Sequence, residues 1–227
     1  MSDVYAIKVK KNQIPLSKEL LNFVSEKKKD RINNSNSPNA LHSVIGELLV
    51  RMLVIKKTGL SMKEINFFYN DFGKPFLKDY GLYFNISHSG DWVVCALDTQ
   101  PVGIDIEQIR NIDLSLIFRC LSKSEINFIE GQDDMYKIPS FYELWTAKES
   151  YVKAIGKGIH LFPDFTITLK KDNIHLSNNS SNIFFNKYFI DPSYRLCVCS
   201  FNKNFTNKIK FISLQDIITF YKGDLLA

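Results

Sequence analysis

The stretch of sequence that decides the fold is Gln100-Pro101-Val102-Gly103-Ile104-Asp105-Ile106-Glu107, near the middle of the 227-residue chain. Its β-branched and apolar residues predict a strand, in which successive side chains point to opposite faces. Asp105 and Glu107 then share one face and lie roughly 7 Å apart along the strand. Carboxylates that close repel each other unless a cation neutralises them or one of them is protonated. The stretch therefore predicts half of a Mg²⁺ site.

Composition and charge leave several classes of partner open. The chain is 45% hydrophobic, which is enough for one large domain or two small ones with a full core. Its net charge is +5, and the basic residues form three clusters: Lys8, Lys10 and Lys11; Lys27, Lys28, Lys29 and Arg31; Lys56 and Lys57. Such clusters suit a nucleic acid, a phosphate-rich small molecule or an acidic protein, and are equally typical of a solvated surface.

Cysteine spacing and the N-terminus indicate the compartment. Cys95, Cys120, Cys197 and Cys199 lack the histidine neighbours and the spacing of a zinc site, so we expect reduced thiols. The N-terminal residues do not have the pattern of a signal peptide, and no apolar run approaches the ~20 residues needed to span a bilayer. These features predict a soluble, cytoplasmic protein.

Hydrophobic periodicity predicts an alternation of strands and helices. Strands are expected at 4–9, 65–69, 82–87, 92–97, 165–169, 183–190, 195–201 and 210–214, and a turn at 177–182. Helices are expected at 15–29, 41–57, 123–130 and 139–155. Ser122 and Glu125 have the spacing of a capping box at the start of the third of these helices.

A weak repeat in this order predicts the architecture. An apolar helix, a Gly-Lys motif and strands occur in each half, ending at 92–97 in the first and at 195–201 in the second. We therefore predict an α+β fold of two similar lobes, 1–101 and 102–227, each a mostly antiparallel sheet packed with a long helix. The carboxylates would lie at the seam between the lobes, where ligand sites are common.

A second motif lies on the last long helix, Trp145-Thr146-Ala147-Lys148-Glu149-Ser150-Tyr151-Val152-Lys153. Glu149 and Lys153 are four residues apart and share a helix face, which by itself is typical of a surface ion pair. Glu149 can also complete the pair on the central strand. Three carboxylates without a histidine favour Mg²⁺, which prefers oxygen ligands.

The motifs together resemble those of one enzyme family. V-G-I-D-I-E, W-x-x-K-E-x-x-x-K-x-x-G-K-G and the earlier G-K-P and N-I-S-H-S-G closely resemble the 4′-phosphopantetheinyl transferases, of the two-lobed type that activates peptide synthetases such as that for surfactin. The resemblance extends from Lys27 through Gly158 into the final strands. It implies transfer of the phosphopantetheine arm of coenzyme A to a serine of an apo acyl or peptidyl carrier protein, releasing adenosine 3′,5′-bisphosphate. It also implies a cytoplasmic monomer that acts on neither nucleic acid nor membrane.

The resemblance assigns roles around the reacting phosphates. It implies that Mg²⁺ is bound by Asp105, Glu107 and Glu149. It implies that coenzyme A phosphates are contacted by Lys148, Lys153 and Lys157, with Lys153 at the transferring group. Glu125 matches a glutamate proposed as general base, although the capping box explains this residue equally well.

The resemblance also assigns the nucleotide contacts. Adenine would be lined by Gly73, Lys74 and Pro75, the 3′-phosphate end would be contacted by His88, and the adjacent Ser87 would also bind coenzyme A. The family commonly has an arginine followed by Ser or Thr before the second helix, where this chain has His42-Ser43. Because histidine is largely neutral at pH 7, that phosphate contact is either weaker or carried by Lys28 or Arg31. Leu114, Ile117 and Phe118 are candidate apolar anchors for the carrier.

Two other functions fit parts of the pattern. A Mg²⁺-dependent nuclease also combines basic charge with acidic ligands, but such enzymes usually have Glu-x-Lys on a strand, whereas Lys148 and Glu149 are adjacent on a helix. A non-catalytic nucleotide- or carrier-binding protein would not need all three carboxylates.

Overall fold

Helix, sheet, sheet and helix form four layers in the computed structural model, which describes residues 1–9, 20–33, 38–170, 173–177 and 182–225. The strands are β1 (Asp3–Lys8), β2 (Phe67–Tyr69), β3 (Pro75–Leu77), β4 (Tyr83–Ser89), β5 (Trp92–Asp98), β6 (Val102–Gln108), β7 (Ile167–Lys170), β8 (Asn173–Leu176), β9 (Phe184–Tyr188), β10 (Tyr194–Ser200) and β11 (Lys210–Phe211). The helices are α1 (Glu26–Asn33), α2 (Pro38–Thr58), α3 (Lys123–Glu130), α4 (Asp134–Ile155) and α5 (Leu214–Leu225).

Two main sheets carry the architecture. The first has the strand order β11-β1-β5-β4, and the second has the order β6-β10-β9. All pairings within them are antiparallel except that of β1 with β11. The α+β class predicted from the sequence is confirmed.

Side chains alternate between the two faces of each strand, so the buried residues form three core layers. Val4 and Ala6 face the second sheet, in a cluster that also contains Ile104 and Ile106. Tyr5 and the next alternate residues face the opposite way and pack under α2 and α5. The outer face of the second sheet is covered by α4, whose Phe141, Leu144 and Ala147 are buried.

Most predicted elements form, and the helix 123–130 is confirmed residue for residue. The continuous helix predicted at 15–29 is wrong, because a 3-10 turn at Leu20–Phe23 precedes a separate α1, which contains residues 26–29 of the predicted helix. Residues 15–19 and most of the predicted turn at 177–182 lie outside the described residues. The last long helix begins at Asp134, earlier than predicted, with Pro139 inside it.

The C-terminal segment departs from a simple division at residue 101. Strand β11 pairs with β1, and α5 buries Ile217 and Tyr221 against the core of the first lobe. The prediction that residues after 101 all belong to the second lobe does not match this packing. None of the helices in the described part of the chain is long and apolar enough to cross a membrane. All four cysteines are free thiols.

Candidate active site

Gly103 brings the two motif-bearing elements together. A Cβ at this position would lie within 3.0 Å of backbone atoms of Ser150, Lys153 and Ala154. Strand β6 and helix α4 can therefore approach this closely only because residue 103 has no side chain. The close approach places Glu149 and Lys153 beside Asp105.

Two of the three predicted carboxylates lie beside one ammonium group, and the third, Glu107, acts on it through its charge. Lys153 Nζ lies 2.5 Å from Asp105 Oδ1 and 3.9 Å from Glu149 Oε2. Ser87, which the resemblance assigns to the nucleotide, also lies here: its Oγ donates to Asp105 Oδ1 at 2.9 Å and accepts from Lys153 Nζ at 3.2 Å. The strand and helix motifs thus form one site.

Burial and mutual repulsion shift the protonation of this group. Burial raises the pKa of Asp105, although Lys153 and Ser87 oppose the shift. Burial raises the pKa of both Glu107 and Glu149 to about 7, with like charges in the cluster adding to it. Burial alone would lower the pKa of Lys153, but the charges of Asp105 and Glu149 outweigh it and raise that pKa.

The donor set fits a divalent cation. Asp105 Oδ2 is buried and is one of the few side-chain oxygens in the described residues that has no hydrogen-bond partner. All the donors are oxygen atoms, which suits Mg²⁺. Among the described residues, no three acidic, histidine or cysteine side chains are already grouped as a metal site. The Lys153 ammonium instead supplies the positive charge among the carboxylates.

A second cluster contains the residues expected at the 3′-phosphate. The rings of His42 and His88 lie 5.4 Å apart between centroids, and Lys28 Nζ donates a hydrogen bond to Ser43 Oγ. Burial lowers the pKa of His88 to about 4, and the nearby charges of His42, Lys153 and Lys28 add to that effect. The side chain of Arg31 lies outside the described residues.

A cavity of about 150 Å³ lies next to this cluster. It is lined by Lys28, Glu47, Phe67, Tyr69, Gly73, Pro75, Phe84 and Ile86. Sequence reasoning anticipated Gly73 and Pro75 here but missed the aromatic rings. The signal was available, because a Phe-Phe-Tyr strand immediately precedes the Gly-Lys-Pro turn.

Lys74 is not among the residues that line this cavity, and its contact with coenzyme A stays a prediction. Its Nζ donates to the carbonyl oxygens of Lys153 at 2.5 Å, Val102 at 3.2 Å and Ala154 at 3.2 Å. Burial lowers the pKa of Lys74 to about 8. A positively charged donor at the C-terminal end of α4 is stabilising. The Lys74 side chain therefore stabilises the contact between the first lobe and the second.

Lys148 and Glu125, which were assigned to a coenzyme A phosphate and to proton transfer, form a buried ion pair with each other. Lys148 is 0% exposed, and its Nζ lies 2.9 and 3.1 Å from the two carboxylate oxygens of Glu125. It also donates to the carbonyls of Phe162 and Phe165. Glu125, 1% exposed, accepts further bonds from the backbone N–H groups of Ser122 and Ile167. Both side chains are buried in this arrangement, and their contacts with coenzyme A and with the substrate serine stay predictions.

The remaining predicted residues lie at the margin of the site. Lys157 is exposed just beyond the end of α4, and its role stays a prediction. Leu114, Ile117 and Phe118 are half-buried against the second-lobe core. Their neighbour Leu116, which the sequence did not single out, is 67% exposed. A carrier contact in this segment stays a prediction.

Comparisons with known proteins show the family to which the chain belongs. Residues 101–206 match the model of the 4′-phosphopantetheinyl transferase superfamily, and residues 15–100 match the model described as 4′-phosphopantetheinyl transferase, N-terminal. The 4′-phosphopantetheinyl transferase Sfp of Bacillus subtilis (strain 168) is 34% identical over 214 residues, covering 90% of this chain and 96% of that protein. The chain belongs to the 4′-phosphopantetheinyl transferase superfamily.

Other transferases of this family show comparable similarity. The transferase gsp of Aneurinibacillus migulanus is 33% identical over 91% of this chain and 90% of its own. The transferase psf-1 of Bacillus pumilus is 32% identical over 80% of each chain. The protein is therefore a phosphopantetheinyl transferase enzyme that uses coenzyme A and carrier proteins. Neither the nuclease nor the non-catalytic alternative is favoured.

Proposed function

We propose that this transferase moves the 4′-phosphopantetheine arm of coenzyme A to a serine of an apo acyl or peptidyl carrier protein and releases adenosine 3′,5′-bisphosphate. We also propose that it requires Mg²⁺ held by Asp105, Glu107 and Glu149. The observation that carries the proposal is that Asp105 and Glu149 meet at the Lys153 ammonium, with the charge of Glu107 acting on the same group and Asp105 Oδ2 buried and unpaired.

The chemistry follows from the charges at the site. Bound Mg²⁺ would neutralise charge on the pyrophosphate during transfer. Lys153, whose pKa is raised, is an ammonium at neutral pH and can donate to the oxygens of the transferring group. Glu125 is not part of this proposal, because its carboxylate is buried and bound to Lys148.

Coenzyme A would bind across the first lobe. Its adenine would enter the cavity beside Gly73 and Pro75, where aromatic rings can contact the base. Its 3′-phosphate would lie among four side chains at the adjacent cluster: Lys28, His42, Ser43 and His88. The pyrophosphate would then reach Lys153, with Lys157 at the exposed edge.

A mass measurement tests the transfer itself. The protein is incubated with an apo acyl or peptidyl carrier domain, coenzyme A and Mg²⁺, and the carrier is weighed. We expect a gain of one phosphopantetheine arm that disappears when the carrier serine is replaced by alanine. Absence of the gain across several carriers would contradict the proposal.

Glu149→Gln tests the metal assignment. We expect kcat to fall on the order of 100-fold or more in saturating Mg²⁺, since a bound cation supplies several kcal/mol at a transferring phosphoryl group. Glu143→Gln is the matched control, because Glu143 lies on the same helix but pairs with Lys187. Near-normal turnover of Glu149→Gln would remove this residue from the metal site.

His42→Arg tests the 3′-phosphate contact. Arginine carries a permanent charge and donates stronger hydrogen bonds to phosphate than neutral histidine does, so we expect KM for coenzyme A to fall about tenfold with kcat unchanged. His175→Arg on β8 in the second lobe adds the same charge at an exposed position and serves as the control. An unchanged KM for His42→Arg would show that the phosphate binds elsewhere.

We further propose that the enzyme acts as a cytoplasmic monomer. One chain supplies both lobes that border the site, and its four cysteines are free thiols. Sedimentation at equilibrium, with and without a carrier protein, measures the oligomeric state. A stable dimer of the transferase alone would contradict the proposal.

A further inference from the structure

Strand β6 borders the other lobe through side chains of β4. On one edge β6 forms backbone bonds with β10, while its other edge faces β4, which belongs to the first sheet. The N–H groups of Ile104, Ile106 and Gln108 donate across this gap to β4 side chains. The acceptors are Asn85 Oδ1 at 2.9 Å, Ser87 Oγ at 3.4 Å and Ser89 Oγ at 3.1 Å. We call these three side chains the β4 ladder.

Two members of the β4 ladder also contact the carboxylates. Ser87 Oγ donates to Asp105 Oδ1, and Ser89 Oγ donates to Glu107 Oε2, each at 2.9 Å. Each hydroxyl therefore accepts one backbone N–H and donates to the carboxylate of the preceding residue. A serine suits this dual contact because it has one donor and two acceptor sites on a single oxygen.

Asn85, the third member of the β4 ladder, has no carboxylate to contact. Asn85 accepts the N–H of Ile104, and the residue before Ile104 is Gly103, which has no side chain to hold. Side chains on one face of a strand recur every two residues. This period gives the serines on β4 the same spacing as the carboxylates on β6. The β4 ladder therefore fixes both the register of the two lobes and the orientation of the carboxylates.

We propose that Ser89 is a positioning residue that orients Glu107 for the divalent cation, with Ser87 doing the same for Asp105. The inference rests on the Mg²⁺ site of the proposed function. Removing a group that hydrogen-bonds to a metal ligand typically weakens metal binding by about 10- to 100-fold. Ser89 gives the cleaner test, because Ser87 also contacts Lys153.

The test measures cation binding directly. Mn²⁺ is titrated into the full chain, without and with coenzyme A, and free Mn²⁺ is followed by electron paramagnetic resonance. For Ser89→Ala we expect about a tenfold rise in the Mn²⁺ dissociation constant and in the Mg²⁺ concentration for half-maximal activity. At saturating cation, kcat should stay close to that of the unsubstituted enzyme.

Three further variants separate positioning from general stability. Ser115→Ala removes the same kind of bond, from a serine Oγ to Asp113 Oδ1 at 2.7 Å, in an exposed turn, and should leave cation binding unchanged. Threonine and valine have nearly the same shape and both suit a strand. Comparing Ser89→Thr with Ser89→Val therefore tests the positioning role if the alanine variant does not fold. Threonine keeps the hydroxyl and should bind Mn²⁺ about tenfold more tightly than valine.

The outcomes are distinguishable. Equal Mn²⁺ affinities of Ser89→Ala and the unsubstituted enzyme, or of the threonine and valine variants, would overturn the positioning role alone. An unsubstituted enzyme that binds no Mn²⁺ and transfers without a divalent cation would overturn the metal assignment as well.

Discussion

Replacing Lys148 with methionine is expected to lower the free energy of unfolding by about 3–5 kcal/mol, because it leaves Glu125 buried without its counter-charge. Both side chains are fully buried, and the Lys148 ammonium also bonds to two backbone carbonyls. The pair therefore joins α3, α4 and the segment leading into β7. Denaturant unfolding monitored by circular dichroism measures the loss.

Two companion variants make this prediction specific. Lys137→Met removes an exposed pair with Asp134 on the same helix and should cost little, as exposed ion pairs contribute about 0–1 kcal/mol. Adding Glu125→Gln to Lys148→Met should recover part of the stability, because the neutral amide keeps an acceptor for backbone N–H groups. If Glu125 were the general base, Glu125→Gln alone would abolish turnover even under conditions in which the variant is folded.

Gly103→Ala is expected to destabilise the protein by about 3 kcal/mol or more, at the upper end of overpacking effects. The added Cβ would meet backbone atoms of α4, which cannot rotate aside as a side chain can. Separation of α4 from β6 would also move Glu149 and Lys153 away from Asp105. Both the unfolding midpoint and the transfer rate should therefore fall.

Gly223→Ala is the control for the glycine prediction. Gly223 lies in α5, and a Cβ there would meet nothing within 4 Å. Alanine favours a helix over glycine by roughly 0.5–1 kcal/mol, so this variant should be unchanged or slightly more stable. Equal effects of the two substitutions would show that the contact between β6 and α4 is not tight.

The neighbouring residues Lys148 and Glu149 show how far a motif can be interpreted from sequence. Successive residues on a helix point about 100° apart, so the two side chains cannot face the same ligand squarely. Glu149 faces Lys153 and the strand carboxylates, whereas Lys148 turns into the second-lobe core. The resemblance assigned Glu149 to Mg²⁺ and Lys148 to a coenzyme A phosphate at the same site, but helix geometry could already have separated their directions.

Capping patterns explain one prediction that succeeded and one that failed. The Ser122–Glu125 box correctly predicted α3, because its contacts are local. Helix α5 was missed because residues 210–214 alternate like a strand. Ser213 and Asp216 form a similar reciprocal pair at its start, with N–H to Oδ2 at 2.8 Å and N–H to Oγ at 3.0 Å. A search that accepted aspartate at the third position would have found it.

Side-chain contacts between residues far apart in the chain could not be predicted from the sequence. The motif N-I-S-H-S-G was noticed, but its alternate members act on opposite sides of β4: His88 faces His42 on α2, while Ser87 and Ser89 face β6. Nothing local indicates that a strand of one sheet will meet another sheet through hydroxyls. The same holds for Lys74, whose partners lie far along the chain.

The return of α5 to the first lobe bears on how the protein emerges from the ribosome. Tyr221 is 0% exposed, and its hydroxyl donates at 2.7 Å to the carbonyl of Leu48, 173 positions earlier. The apolar face of α2 is therefore not completely buried until the second lobe has been synthesised. That synthesis takes several seconds at roughly 5–20 residues per second. Both halves complete their cores together, so neither is expected to fold when translated alone.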